Sequence, residues 1–188
     1  MAQASNEVDT RSFPPAGRWE LDPAHTTVEF VARHMLTKVR GRFTEFSGGF
    51  EIGERPEDAK VGVEIRAGSI QTNTTMRDDH LKSPDFLDVE TFPVLSFSST
   101  AFRPTGGTEF ELEGDLTIKD VTRQVTLKGE VIGWGPDTEG TPMLAASAKT
   151  TIDREDWGMT WNMVVETGGF LVSKRVDIEI ETEARLRS

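Results

Sequence analysis

The feature that most constrains this chain is a period-two alternation of apolar and polar residues, repeated in segment after segment. Between Thr108 and Ile118, Phe110, Leu112, Gly114, Leu116 and Ile118 oppose Glu109, Glu111, Glu113, Asp115 and Thr117. Successive side chains of a strand point to opposite faces, so this pattern predicts a strand with one dry and one wet face. Val28, Phe30, Ala32 and His34 share one face of a similar run, and Val61, Val63, Ile65 and Ala67 share one face of another. Leu95 and Phe97 do so within Val94–Ala101, and Val125, Leu127 and Val131 within Val121–Val131. Ala146, Ala148 and Thr150 lie between the ends of Leu144–Ile152. Phe170–Ala184 sets Val172, Val176, Ile178 and Ile180 against Asp177, Glu179 and Glu181. A run from Arg42 to Ile52 carries Phe43, Phe46, Phe50 and Ile52, with the alternation broken at Ser47-Gly48-Gly49, which predicts a bulge or a sharp bend. The total is about eight strands joined by Gly- and Pro-rich turns.

One segment departs from this rule. Thr74–Leu81 has no strand alternation, sets Met76 and His80 at helical spacing and runs into Ser83-Pro84, where a helix must stop. It predicts a short helical insertion between strands.

With 188 residues the chain suits one domain, and with 36% hydrophobic residues it resembles an ordinary globular protein. Having no cysteine, it excludes a disulfide framework, a thiolate metal site and a cysteine nucleophile. The net charge of −11 disfavours a phosphate backbone as partner, so no nucleic acid is expected. No apolar run approaches the roughly 18 residues of a membrane helix, so no stable membrane insertion is expected. Met1–Glu7 lacks the basic and apolar regions of a signal peptide, which gives a cytoplasmic expectation.

Strands with one buried face make either a sandwich or a barrel, and the alternation does not choose between them. The inward faces mix Phe and Leu with Ala, Gly and Thr. That mixture leaves room along a barrel axis unless neighbouring large residues fill it, as close packing favours.

Five ordered stretches resemble the YceI-like family, described as lipid-binding and lipocalin-like. They are Trp19-Glu20-Leu21-Asp22-Pro23-Ala24-His25-Thr26-Thr27-Val28-Glu29-Phe30 through His34; Gly41-Arg42-Phe43 with Phe46-Ser47-Gly48; Arg77-Asp78-Asp79-His80-Leu81-Lys82-Ser83-Pro84-Asp85-Phe86-Leu87-Asp88; Gly114-Asp115-Leu116-Thr117-Ile118 through Val121-Thr122-Arg123; and Ile152-Asp153-Arg154-Glu155-Asp156-Trp157-Gly158. Leu87, Asp120, Thr26 and Trp157 depart from the family's usual Phe, Gly, Ser and Phe. The resemblance covers about residues 18 to 185. It implies an all-β fold: an eight-stranded antiparallel lipocalin-like barrel with a short helical insertion, spanning residues 18–186 behind a flexible N-terminal extension of residues 1–17. It further implies an elongated cavity for a long apolar isoprenoid-type lipid, such as a prenylated quinone or a polyprenyl compound. The protein would then be a carrier, a store or a stress-related lipid-binding protein, and a homodimer. No catalytic cofactor is expected. The alternatives are a barrel with a filled core serving as a protein-interaction module and, further off, a hydrolase.

Inward parity selects Val28, Phe30, Ala32, Phe43, Phe46, Ile65, Leu95, Phe97, Phe110, Leu112, Leu116, Leu127, Ala146, Ala148, Val176 and Ile178 as candidate ligand contacts. Each is equally suited to ordinary core. Leu81 and Phe86, with Leu87, are placed to cap one end from the insertion. His34 closes an apolar face and is the sharpest polar candidate, although a lone inward histidine is more often satisfied by another protein group. Lys174 is a rim candidate for a head group, while His25 and Arg154 read as framework positions. No catalytic or metal site is assigned. His25, His34 and His80 form no close ligand motif, Asp78-Asp79-His80 reads as a solvated helical turn, and no Gly-x-Ser-x-Gly elbow occurs.

Overall fold

A computed structural model describes residues 8–9, 11–165 and 169–187, with the side chains of residues 165, 169 and 170 outside the description. The alternating runs form strands. In chain order these are β1 (Gly17–Leu21), β2 (Thr27–His34), β3 (Thr37–Phe43), β4 (Phe46–Ile52), β5 (Lys60–Arg66), β6 (Ile70–Gln71), then helix α1 (Thr75–Lys82), β7 (Val94–Gly106), β8 (Glu109–Ile118), β9 (Val121–Pro136), β10 (Pro142–Asp153), β11 (Val164–Val165), β12 (Gly169–Phe170) and β13 (Val172–Arg187).

The pairing order β1-β4-β5-β7-β8-β9-β10-β13 is entirely antiparallel and closes through β13 onto β1, which makes an 8-stranded barrel. β1 and β2 act as one long strand interrupted at residues 22–26, and β3 and β4 as its partner interrupted at residues 44–45. Val28 pairs with Phe43 in one half and Glu20 with Gly49 in the other. The second sheet edge of β13 is therefore shared: its C-terminal end meets β1 and its remainder meets β2. Closure pairs both sides of the β1–β13 seam, while beside it β3 meets the two-residue β6 only at Arg42 and Phe43. A small ribbon of β11 and β12 lies outside the barrel sheet.

The interruption at residues 44–45 is held by Ser69, whose hydroxyl accepts the Thr44 and Glu45 amides at 3.2 and 3.1 Å. The break expected at Ser47-Gly48-Gly49 takes the form of unusual backbone at Gly48, with φ +135°, and β4 pairs with β5 in unbroken register. A side chain there would put its Cβ 2.1 Å from the Gly62 carbonyl oxygen, so only glycine fits.

Helix α1 spans the expected segment and stops at Ser83, whose amide bonds the His80 carbonyl at 3.1 Å. Its attachment uses the acidic motif. Asp78 Oδ1 accepts the Thr72 amide at 2.7 Å and the Thr72 hydroxyl at 2.5 Å. Arg77 Nε donates to the same hydroxyl oxygen at 2.7 Å, so that oxygen accepts from one side and donates to the other. Asp78 is thus a bracket between α1 and β6.

Two apolar clusters fill the ends of the barrel. One gathers Ile70, Phe86, Leu87, Leu116, Ile152, Trp157 and Met159 at the α1 end. The other gathers Trp19, Phe110, Leu112, Leu127, Leu144 and Ala184 at the opposite end, with Phe13 packed against it. Phe97 and Val125 touch both. Of the expected N-terminal extension, residues 1–7 and 10 lie outside the described residues. The described part packs on the barrel: Asp9 pairs with Trp134 and the Phe13 ring meets Phe102 edge-on at 5.8 Å.

Candidate functional site: an apolar cavity along the barrel axis

The interior is not filled. A cavity of about 290 Å³ runs between the two clusters and draws its wall from both. Its presence explains an otherwise odd burial pattern. Phe30, Phe43, Ile65, Phe97, Val176 and Ile178 have inward parity and yet are only half-buried, because part of each side chain faces void.

The void survives because of what stands beside the aromatic rings. Phe30 pairs with Gly41 across β2 and β3, and Phe110 pairs with Gly129 across β8 and β9. A Cβ at Gly41 would lie 2.3 Å from Phe30 Cζ, and one at Gly129 would lie 2.5 Å from Phe110 Cζ. Each ring therefore lies over the bare backbone of its neighbour, against the wall, instead of standing across the axis. The small residues Ala146 and Ala148 on β10 keep a further stretch of wall low.

Of the residues selected by parity, Val28, Phe30, Ala32, Phe43, Ile65, Leu95, Phe97, Phe110, Leu112, Leu116, Leu127, Ala146, Ala148, Val176 and Ile178 line the cavity. Leu81, Phe86 and Leu87 also line it, at the α1 end. Two do not. Phe46, the first residue of β4, borders a separate cleft with Glu20, Asp22, Pro23 and Arg187, although its partner Ile65 lines the cavity. His34 is exposed at the end of β2, where it pairs with Val172 beyond a register shift in β13 between Val172 and Val176. The same shift carries Lys174 outward to an ion pair with Glu155 at 2.7 Å.

The wall also includes residues that parity reasoning left out. Phe50, Ile52, Leu144 and Ile180 lie on alternating faces already recognised, so the signal was present. Phe13, Pro14 and Met159 come from segments without periodicity, where no sequence signal points inward. Arg154, read from the sequence as a framework position, also borders the cavity.

Among the lining residues polar side chains are few: Thr26, Glu29, Ser147, Thr150, Arg154 and Thr182. The Thr26 and Thr182 hydroxyls face each other at 3.1 Å. Arg154 is 3% exposed and follows directly on β10 in the turn Arg154–Trp157. Its Nε donates to the Ser173 carbonyl at 3.0 Å, its Nη1 donates to the Met159 carbonyl, and the guanidinium lies 5.8 Å from the centre of the Phe86 ring. Burial pushes its pKa downward, partly offset by the charges of Glu155 and Asp153.

The histidines are accounted for. His80 Nε2 lies 2.9 Å from Asp85 Oδ2, and its ring packs edge-on against Phe86 and Trp161. His25 Nδ1 lies 3.0 Å from Asp22 Oδ2 in the turn joining β1 and β2. That hydrogen bond is the main cause of a raised His25 pKa and a lowered Asp22 pKa. Asp22, His25 and Glu183 stand close enough to hold a cation together, but Arg185 Nε, 3.5 Å from Asp22 Oδ2, already supplies the positive charge there.

A closed antiparallel barrel around an open apolar axis defines a lipocalin-like architecture. Within it the chain belongs to the YceI-like family: residues 19–184 match the YceI-like domain. A UPF0312 protein of Pseudomonas putida is 33% identical over 161 residues, 85% of this chain and 80% of that protein. A UPF0312 protein of Pseudomonas aeruginosa is 35% identical over 141 residues, covering 74% and 73% of the two chains. Among solved structures, BcnA of Burkholderia cenocepacia superposes with a TM-score of 0.73 at 23% identity, over 87% of this chain and 98% of that one. A polyisoprenoid binding domain from Saccharophagus degradans superposes with a TM-score of 0.66 at 13% identity, over 90% and 98%. These likenesses bear out the barrel that the family resemblance implies, between the two folds the alternation left open.

Proposed function

We propose that this protein binds the apolar chain of an isoprenoid-type lipid inside the barrel, and that it carries or stores that lipid without transforming it. The observation that carries this reading is the cavity itself, a continuous apolar space kept open by glycines beneath the phenyl rings. Its volume sits near the low end of the roughly 300–1,000 Å³ typical of small-molecule sites, which suits a slender chain better than a fused ring system. A dry apolar wall offers a hydrocarbon about 0.8 kcal/mol per buried methylene-sized group. One five-carbon unit thus contributes up to about 4 kcal/mol before ordering costs are subtracted. The polyisoprenoid binding domain of Saccharophagus degradans, which shares the fold, supports the choice of ligand class.

Native mass spectrometry of freshly purified protein, followed by lipid extraction, tests the proposal. A co-purifying isoprenoid, or stoichiometric uptake of added geranylgeraniol, is the expected result. No bound lipid together with no uptake would favour the protein-interaction alternative instead.

A further inference from the structure

Exposed apolar side chains gather at one place on the barrel. Among the described residues seven large apolar side chains stand well exposed, and four of them, Met35, Leu36, Met163 and Val164, lie on adjoining pieces of backbone. The Met35 amide donates to the Leu171 carbonyl at 2.8 Å, and the Leu171 amide donates to the Met163 carbonyl at 2.9 Å. The β2–β3 turn and the start of the β11–β12 ribbon therefore flank Leu171, and Val164 continues into the ribbon by pairing with Phe170. Met35 and Leu36 make up the whole loop between His34 and Thr37, which pair with each other. The backbone at Met35 has φ +54°, a conformation that two-residue hairpin loops usually fill with Gly, Asn or Asp. Turn geometry and solubility both argue against Met-Leu at such a tip, where Leu36 is 90% exposed, so the pair points to a contact outside the chain.

Charge is sorted around the same patch. The chain has 32 acidic residues against 21 basic, yet residues 30–44 carry Arg33, Lys38, Arg40 and Arg42 with no acid, and residues 167–176 carry Lys174 and Arg175 with no acid. Arg33 and Lys38 stand directly opposite each other on β2 and β3, where like charges repel. The Arg33 amide donates to the Ser173 hydroxyl oxygen at 3.0 Å, which brings the irregular stretch of β13 with Lys174 and Arg175 alongside. Glu155 and Glu179 answer Lys174 and Arg40 at 2.7 and 2.8 Å. An apolar tip backed by a band of cations, on a protein that is otherwise acidic, matches a partner that is apolar inside and anionic at its surface. A membrane leaflet with anionic head groups has that layering.

We propose that the β2–β3 tip, together with the start of the β11–β12 ribbon, docks peripherally on an anionic lipid membrane. Met35, Leu36, Met163 and Val164 enter the boundary between head groups and acyl chains. Arg33, Lys38, Lys174 and Arg175 stay at the level of the lipid phosphates, whose charge relieves the Arg33–Lys38 repulsion. No part of the barrel crosses the bilayer.

Flotation of the full chain with lipid vesicles, in the absence of any isoprenoid, tests the docking. Vesicles of phosphatidylcholine with about 30% phosphatidylglycerol should bind the native protein at least about 10-fold more tightly than phosphatidylcholine alone, and salt near ~0.5 M should remove the difference. Leu36→Asn alters only an exposed turn, so it should fold normally and weaken binding to the anionic vesicles by roughly 10-fold. Lys38→Glu should weaken it by about the same factor at low salt and by less at high salt. Equal binding to both kinds of vesicle, or binding to neither, overturns the proposal. Anionic-vesicle binding that both variants leave unchanged overturns it too, by placing the contact elsewhere. So does a native dimer in light scattering that Leu36→Asn converts to monomer, because the patch then belongs to a second copy of the chain. Vesicle binding is read from the position of the protein and not from uptake of a tail, so failure here leaves the cavity reading standing.

Discussion

A phenylalanine facing the interior of a small barrel either crosses the axis or lies along the wall, and here the residue beside it decides. Phe30 rests on Gly41 and Phe110 on Gly129. Gly41→Val should drive the Phe30 ring toward the axis, at a cost of about 1–3 kcal/mol in stability from overpacking, and lower lipid uptake. Ala148→Phe should narrow the same space from the opposite wall. Its check is uptake measured beside a circular dichroism spectrum that remains β. Unchanged uptake in both variants would mean that the ligand lies elsewhere. The turn histidine yields a separate expectation. The raised pKa of His25 means that its pairing with Asp22 stabilises the fold fully below the ordinary histidine value near 6.5, and that this contribution disappears as pH climbs through the raised value. Asp22 carries the complementary, lowered pKa, so its share fades only as pH drops below the usual carboxylate range. Thermal melts of His25→Ala against native protein should diverge most between the ordinary aspartate and histidine values, about pH 4 to 6.5, and converge as pH rises through the raised His25 value. Parallel melting curves across that range would show the pair to be idle.

At the scale of elements, period-two counting located most of the wall, because a strand with one dry face has little freedom in where it puts its side chains. It failed at a break in the pleat and at strand ends. Lys174 lies in the register shift of β13, and Phe46 and His34 stand at the outer ends of β4 and β2, outside the cavity that their partners Ile65 and Val172 line. β1 went unseen because its five residues offer only Trp19 and Leu21 as apolar positions, too few to establish a period. Arg154, read as a framework position, does tie the end of β10 to the Ser173 and Met159 carbonyls, and only its packing reveals that it also borders the cavity. Helix α1 depends on a polar bracket and not on a greasy face, as none of its residues is fully buried. Asp78→Asn should therefore weaken the joint between α1 and β6 by about 1–3 kcal/mol, since a buried hydroxyl and amide lose their charged acceptor. Hydrogen exchange should show faster opening of residues 72–82, with the central strands β8 and β9 unaffected. Uniform loss of protection across the barrel would show that α1 belongs to its cooperative core.

For the molecule as a whole, the two mouths of the cavity are closed by different means. The α1 end is covered by Leu81, Phe86 and Leu87 on a segment bracketed by hydrogen bonds. The opposite end is covered in part by Phe13 and Pro14, from a stretch held by the Asp9–Trp134 pairing, the Phe13–Phe102 contact and a hydrogen bond from Trp134 Nε1 to the Ser12 hydroxyl at 3.3 Å. Among the described residues this second cover joins the sheet only through the isolated Asp9–Trp134 bridge, which makes it the easier route for exchange. Phe13→Ala should speed release of a bound polyprenol in stopped-flow transfer to acceptor vesicles, while the melting temperature shifts little. Release at the native rate would point to the α1 end.

Closure of the barrel carries one more consequence. Arg18 and Trp19 pair with Arg187 and Leu186, so the first and last strands of the barrel form the seam of the tube. During synthesis every other barrel strand is available before β13, and until β13 arrives there is no sealed chamber. Loading with cargo must follow the arrival of β13, and losing the residues of its β1-paired end would split the tube lengthwise instead of shortening it.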